Sequence, residues 1–306
     1  MEDNKITFEQ LDASRIKLRN RNILAILIDA VILLIGFFIL IGLGSFGIII
    51  SIIVAIVVYT LLTHKVRAEY TANYKSYFVL RSLVTRFEDL KYQPEYGIPE
   101  SVIGSTGMMY TGDRYHSNDY ISGKYKGIPF EQSDVHIEEE RETTDSDGHT
   151  QRYYVTIFLG RWMIFDFNKE FKANIQICQK RFAGSKHGGL FSKTKYNKVK
   201  MESEEFNKEF RVYAVNDHDA FYVITPSLME RLQGLTKSIK GSFLFCFVNN
   251  KLHVGLNNNK DSFEPKSSFF KIKEEKVLSE VTGDIDVITK FVEDLNLDND
   301  LFKKEV

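Results

Sequence analysis

The sequence predicts an α+β protein in which an N-terminal two-helix transmembrane hairpin is followed by a largely antiparallel β-sheet cytoplasmic domain with a few helices. Three observations carry this. Ile23 to Leu62 is a run of 40 residues whose single formally charged side chain is Asp29. From about residue 108 to 256 apolar residues recur with period two in short runs divided by polar or glycine turns, the pattern of half-buried strands. Two later stretches switch to helical spacing, one of them opened by Thr225-Pro226-Ser227, an N-cap with proline at the first helical position.

As one helix the apolar run would be ~60 Å long, about twice the ~30 Å hydrocarbon core, so two crossings fit and one does not. The turn falls on GLGSFG, residues 42–47, because Gly42, Gly44 and Gly47 accept the backbone angles that end a helix and reverse the chain. The same hexapeptide has the G-x-G-x-x-G spacing of a dinucleotide loop, with Glu69 further on. That fold needs a strand of about five residues before the loop and an amphipathic helix after it. Here ~19 apolar residues precede, and the next stretch, IIISIIVAIVVY, has no polar face. Arg15, Lys17, Arg19 and Arg21 lie before the first span and Lys65, Arg67 and Lys75 after the second, which places both termini in the cytoplasm. No cleavable leader is expected, because the first twenty or so residues are mostly polar.

A carboxylate within hydrocarbon is unfavourable by ~2.5 to 3.5 kcal/mol. Asp29 lies ~12 Å in from Arg21, and a symmetric hairpin puts it level with Thr60, with Tyr59, Thr63 and His64 within a turn. Asp29 and Thr60 are read as a contact that fastens the two helices or an oligomer. An ion relay is not favoured, since two short spans with one carboxylate make no pathway.

The chain therefore divides into a cytoplasmic N-terminal segment (1–21), the hairpin (22–63), a connecting helix (64–93) and a soluble α+β domain (94–306). Tyr70, Tyr74, Tyr77, Phe78, Leu80, Val84 and Phe87 fall broadly at helical spacing in the connecting helix, and Pro94, Gly97 and Pro99 close it. Strands are expected over YISGKY, GIPFEQSDVHIEEE, RYYVTIFLG, RWMIFDFN, FKANIQICQ, EFRVYAV, AFYVIT, SFLFCFV and KLHVGLN. TTDSDGHT, LGRW around Gly160 and VNNKL read as hairpin connections. Leu228, Leu232, Leu235 and Ile239 line one helix; Ile285, Ile288, Val292 and Leu295 line a C-terminal one at 283–296.

The formal net charge of -1 over 306 residues gives no overall attraction to nucleic acid. Cys178 and Cys246, the two cysteines, sit inside apolar strand-like runs, so neither a disulfide framework nor a cysteine zinc site is expected. GDRYHSND offers Asp113, His116 and Asp119 but reads as a loop without a further ligand at a useful distance. NDHD supplies Asp217, His218 and Asp219 as turn residues. GSTG near Ser105 is not a nucleophile elbow, and no triad can be drawn. Residues 180–200 carry Lys180, Arg181, Lys186, Lys193, Lys195, Lys198 and Lys200 with no acidic residue, plus Gly184, Gly188 and Gly189. A basic loop of this kind, already tethered at a bilayer, can dock on anionic headgroups at ~1 kcal/mol per basic residue. From Glu280 onward eight acidic groups stand against three lysines, which reads as a solvated outer helix face.

The run WMIFDFNKEFKANIQI, then KVKMESEEFNKEFRVYAVNDHDAFYVITPSLMERL, SFLFCFVNNKLHVGL and FEP, resembles the bacterial domain of unknown function three-one-three-seven family. Its members are membrane-anchored proteins often encoded beside LemA-type membrane proteins. MMYTGDRYHSNDYISGKYKGIPFEQSDVHIEEE fits the same pattern, and the resemblance runs from about residue 15 to 295. The D-F-N-K and L-T-P-x-L-M-E-like stretches carry it, with Ile224 where a leucine is more usual. The resemblance implies an architecture and a LemA-like membrane partner, and brings no catalytic residues.

The expected function is a membrane-anchored, cytoplasm-facing interaction or scaffold module in the cell membrane, with two spans and both termini cytoplasmic. It is expected to be no enzyme and to have no cofactor, metal site or nucleic-acid partner. Its partners are the bilayer, a LemA-like protein and, as an open alternative, a second copy of itself. A second reading is an anionic-lipid-responsive module using Lys186, Lys193, Lys195, Lys198 and Lys200. A membrane-anchored hydrolase is the third.

Overall fold

A computed structural model describes residues 6–40, 45–145, 148–166, 174–182 and 196–297. The chain forms two compact units, one of residues 1–82 with 263–281 and the other of 83–262 with 282–306. Two long apolar N-terminal helices are followed by a large antiparallel sheet domain with a few helices, an α+β architecture.

In the first unit, α1 (Phe8–Leu40) begins well before the apolar run, so most of the segment expected to precede the hairpin is continuous helix. Thr7 explains the early start: its Oγ1 accepts from the Gln10 amide at 3.3 Å while Gln10 Oε1 accepts from the Thr7 amide at 2.9 Å, a reciprocal capping box. Helix α2 (Ser45–Tyr74) runs alongside. Of the turn expected at 42–47, residues 45–47 lie instead within this helix, and residues 42–44 fall outside the described residues. Both helices are long and apolar enough to cross a membrane, and only 11% and 22% of their apolar windows is buried. Leu27, Leu34, Phe38, Ile56 and Leu61 are all at least 60% exposed.

Helix α2 passes into a π-helix over Lys75–Leu80 and a single turn, α3 (Arg81–Val84). Phe78 and Val79 are buried there, and the Tyr74 and Phe78 rings lie 5.1 Å apart. The connecting helix expected over 64–93 thus ends at Val84. Its last residues instead form strand β1 (Glu88–Gln93), because ladder pairing, as in Tyr92 opposite Ile121, overrides a helical spacing of aromatics.

Among the described residues, the second unit holds a nine-stranded sheet. After β1 come α4 (Glu100–Ser105), β2 (Arg114–Tyr125), β3 (Ile128–Thr144), β4 (Thr150–Asp166), β5 (Ile175–Gln179) and β6 (Asn197–Val199). They are followed by α5 (Glu204–Glu209), β7 (Phe210–Ala214), α6 (Asp217–Val223), α7 (Pro226–Ser238), β8 (Ser242–Val248), β9 (Lys251–Asn257) and α8 (Glu274–Asp294). The strand order is β1-β2-β3-β4-β9-β8-β5-β7-β6, and the pairings are antiparallel.

Strand β8 is buried on both faces. Leu244, Cys246 and Val248 join a core with Trp162, Phe158 and Ile164, while Phe243 and Phe245 meet Phe291 of α8 at 6.1 and 6.4 Å between ring centroids. Each such side chain contributes ~1.5–3 kcal/mol when fully buried. The β8–β9 connection is a two-residue turn at Asn249 and Asn250, both at positive φ, the conformation asparagine tolerates in tight hairpins. Helix α7 is capped as its sequence predicts: Thr225 Oγ1 accepts from the Leu228 amide at 3.3 Å.

Four local expectations are corrected. GDRYHSND is not a loop but the start of β2. LGRW is not a hairpin connection: Gly160 lies inside β4, where an added Cβ would sit 2.0 Å from the Leu256 carbonyl oxygen, so glycine here allows close strand approach and not a turn. AFYVIT is not a strand, because Asn216 accepts from the His218 amide at 3.0 Å and starts α6. The C-terminal helix begins at Glu274 and not at 283.

Candidate functional site

Asp29 and Thr60 share no hydrogen bond. Thr60 donates to the carbonyl of Ile56, one turn back on its own helix, at 2.8 Å, and Asp29 Oδ1 is buried without a hydrogen-bond partner. The reason is register. Lys17 faces Glu69, Asn22 faces Tyr59 and Gly36 faces Ser51, which sets the residue opposite Asp29 between Ile52 and Val58. Ala55, a buried residue, occupies that stretch.

The hairpin is fastened elsewhere. An added Cβ on Gly36 would lie 2.0 Å from Ser51 Oγ, so the helices touch where both residues are small. At the polar end, Asn22 Oδ1 accepts from the Tyr59 hydroxyl at 3.2 Å and its Nδ2 donates to Ser268 Oγ at 3.2 Å. Arg15, buried, donates from Nη1 to the Ser268 carbonyl at 3.1 Å and from Nε to Asp12 at 2.7 Å. Lys75, also buried, pairs with Glu264 at 2.5 Å. A shallow groove of about 400 Å³ beside the helices is lined by Gln10, Ala13, Lys17, Glu69 and Asn73. Its charges are already matched by the 2.6 Å Lys17–Glu69 pair.

Of the basic cluster, Lys186, Lys193 and Lys195 lie outside the described residues. Lys198 is exposed on β6. Lys200 pairs with Glu204 at 2.7 Å, and this bond holds the Glu204 carboxyl below its usual range. Asp113 and Asp119 have separate commitments: Asp113 Oδ2 accepts from the Glu140 amide at 2.7 Å, and buried Asp119 accepts from the Tyr92 hydroxyl at 2.6 Å. Asp217, His218 and Asp219 form the first turn of α6. Cys178 and Cys246 are buried, and burial pushes the Cys246 thiol up.

Sequence reasoning missed a buried ionic centre in the sheet unit. Asp134 of β3 and Arg161 of β4 are cross-strand partners, both almost fully buried. Arg161 Nε lies 3.6 Å from Asp134 Oδ1 and donates to Ser262 Oγ at 3.2 Å. Its Nη2 lies 3.4 Å from Asp284 Oδ1, and Nη1 donates to the Asp284 carbonyl. Asp134 Oδ2 accepts from the Ser262 amide at 2.5 Å, and Lys260 closes on Asp284 at 2.5 Å. Burial raises the Asp134 carboxyl well above the usual range; Arg161 opposes this, and the Asp119 and Asp261 charges add to it. One guanidinium thus ties two strands, the Ser262 loop and α8 together, a structural staple that breaks badly when one member is lost. The available signal was an arginine beside Trp162 in an otherwise apolar run, which a hairpin reading of LGRW hid.

On the other face of β4, Trp162 Nε1 donates to His253 Nδ1 at 3.3 Å. Burial, helped by Lys251, pushes the His253 imidazole down to about 4. The ring is therefore a neutral acceptor at neutral pH.

Fold and sites together define a class: an antiparallel α+β domain accompanied by two long apolar helices. Residues 156–297, from within β4 to just past α8, match the family described as protein of unknown function DUF3137. That match begins well inside the stretch of about 15 to 295 over which the sequence bears the resemblance, so α1–α4 and β1–β3 lie outside it. No curated protein shows significant similarity to the chain. A solved structure, the mycobacterial trehalose monomycolate transport factor A, TtfA, is similar at 10% identity with a TM-score of 0.37, covering 68% of this chain and 88% of its own.

Proposed function

We propose that this protein is a membrane-anchored, non-enzymatic interaction module whose hairpin crosses the cell membrane twice, with both termini in the cytoplasm, and whose sheet domain meets other membrane proteins. One observation carries this reading. Strands β3 and β4 outrun their neighbours: the β2 ladder ends at Arg114 opposite Glu138 and the β9 ladder at Gly160, while Glu139–Thr144 stay paired with Thr150–Val155. Six residues of strand give a two-stranded arm of ~20 Å. It bears Glu139, Arg141, Glu142 and Arg152 beside exposed Tyr153 and Tyr154. Tyrosine and arginine are the side chains protein interfaces favour, and an arm with open edges can accept a partner strand through main-chain bonds. A LemA-like partner is what the family resemblance implies.

The test is purification of the full chain from its native membrane in mild detergent, comparing the wild type with the double variant Arg152→Glu/Tyr153→Ser. The expected result is a reproducible set of co-purifying membrane proteins that the variant loses. An identical set from both, or none from the wild type, overturns the reading.

A further inference from the structure

We propose that the segment Phe269–Lys273 is a third membrane attachment, an interfacial anchor that inserts two phenylalanines into the cytoplasmic face of the bilayer and sets two lysines against anionic headgroups. It rests on the reading that the hairpin spans the bilayer.

Height along the hairpin is what places this segment at the bilayer surface. Along α1 and α2 the exposed apolar surface starts at Ile23 and ends at Leu61. The Asn22–Tyr59 hydrogen bond lies at that border, with Asn22 one residue outside it and Tyr59 two residues inside. Residues 263–281 belong to the same compact unit, and their hydrogen bonds show how they lie along it. Glu264 is tied to Lys75 and Glu274 to the Tyr77 hydroxyl, both near the far end of α2. Between them the chain climbs to Ser268, whose Oγ accepts from Asn22 and whose carbonyl accepts from Arg15. The segment is therefore a loop with its feet at Lys75 and Tyr77 and its apex at the apolar border.

The residues just after Ser268 suit that border. Phe269 and Phe270 are 45% and 76% exposed, an unusual cost for adjacent large aromatics facing water. They lie within ~7 Å of Ser268 along an extended chain. Lys271 and Lys273, both exposed, come next. Aromatic rings at the water–lipid boundary with lysines on the cytoplasmic side are the arrangement that holds segments at an interface. The hydrogen bonds through Ser268 fix the loop before it meets lipid, so little ordering is left to be done on insertion.

An environment-sensitive dye placed on Ser267→Cys in the full chain tests this, since Cys178 and Cys246 are buried and should not label. The protein is reconstituted into vesicles of equal parts phosphatidylcholine and phosphatidylglycerol containing brominated lipid, with the dye on Leu34→Cys as the hairpin reference. Both sites should be quenched. Replacing Phe269 and Phe270 by serine should remove more than half of the quenching at 267 and none at 34; Lys271→Glu/Lys273→Glu should weaken it selectively. Quenching at 34 but not at 267, or quenching at 267 that ignores the phenylalanines, overturns the anchor while leaving the hairpin reading intact. No quenching at 34 overturns the hairpin reading and the anchor with it.

Discussion

Lowering the pH from about 7 to about 4 forces a proton onto His253, whose neutral ring accepts from Trp162 in the dry interior of the sheet. The folded-state value is pushed down to about 4 from 6.5 by burial, with Lys251 adding to it. A depressed value means that the unfolded chain binds the proton first, so stability is fully present above the unfolded value and drains away as pH falls toward the folded one. The 2.5-unit gap corresponds to ~3 kcal/mol by pH ~4. Asp134 titrates with the opposite sign, so the effect must be read as a difference between variants. His253→Gln keeps an acceptor for the indole and does not titrate. Urea unfolding of the full chain in detergent, followed by the emission of Trp162, the single tryptophan, should show the wild type losing ~3 kcal/mol relative to this variant between pH ~7 and ~4. Parallel stability curves for the two proteins would refute the burial argument.

The packing leads to three further expected outcomes. Asp134→Asn should flatten the pH dependence: the wild-type carboxyl is raised, so its contribution is present below the unfolded value near ~3.9 and is lost as pH rises through the folded one, which the same titration measures between pH ~4.5 and ~8. Gly160→Ala must push β4 from the Leu256 carbonyl and should cost ~1–3 kcal/mol in urea unfolding. Gly36→Ile drives a side chain into Ser51; it should lower the SDS concentration at which a Lys17→Cys/Glu69→Cys pair stops crosslinking, whereas Asp29→Leu, opposite Ala55, should change it little.

How much of this was legible in the sequence depends on range. The apolar run, the α7 cap at Thr225 and the Asn249-Asn250 turn are written in adjacent residues, and each appears where local chemistry places it. The helix at Asp217–Val223 was hidden because its aromatic and β-branched residues favour strand, while the deciding group was a single capping asparagine. The Asp134–Arg161–Asp284 centre joins positions far apart in the chain, and no local pattern announces a partner over a hundred residues away. The hairpin register is set by pairs that a symmetric turn does not announce: Asn22–Tyr59 and Gly36–Ser51 put residues 52–58 opposite Asp29.

The first unit takes its last piece from residues 263–281, about 180 residues after Ser82. At ~5–20 residues per second a ribosome needs roughly ten to forty seconds to deliver that piece. Throughout that interval the nascent hairpin has Asn22 and Arg15 without Ser268, and Lys75 without Glu264. The base of the hairpin is therefore a late seal, closed only by chain synthesised after the last strand of the sheet, and any truncation before Phe263 takes away Ser268 and Glu264, to which Asn22, Arg15 and Lys75 bond.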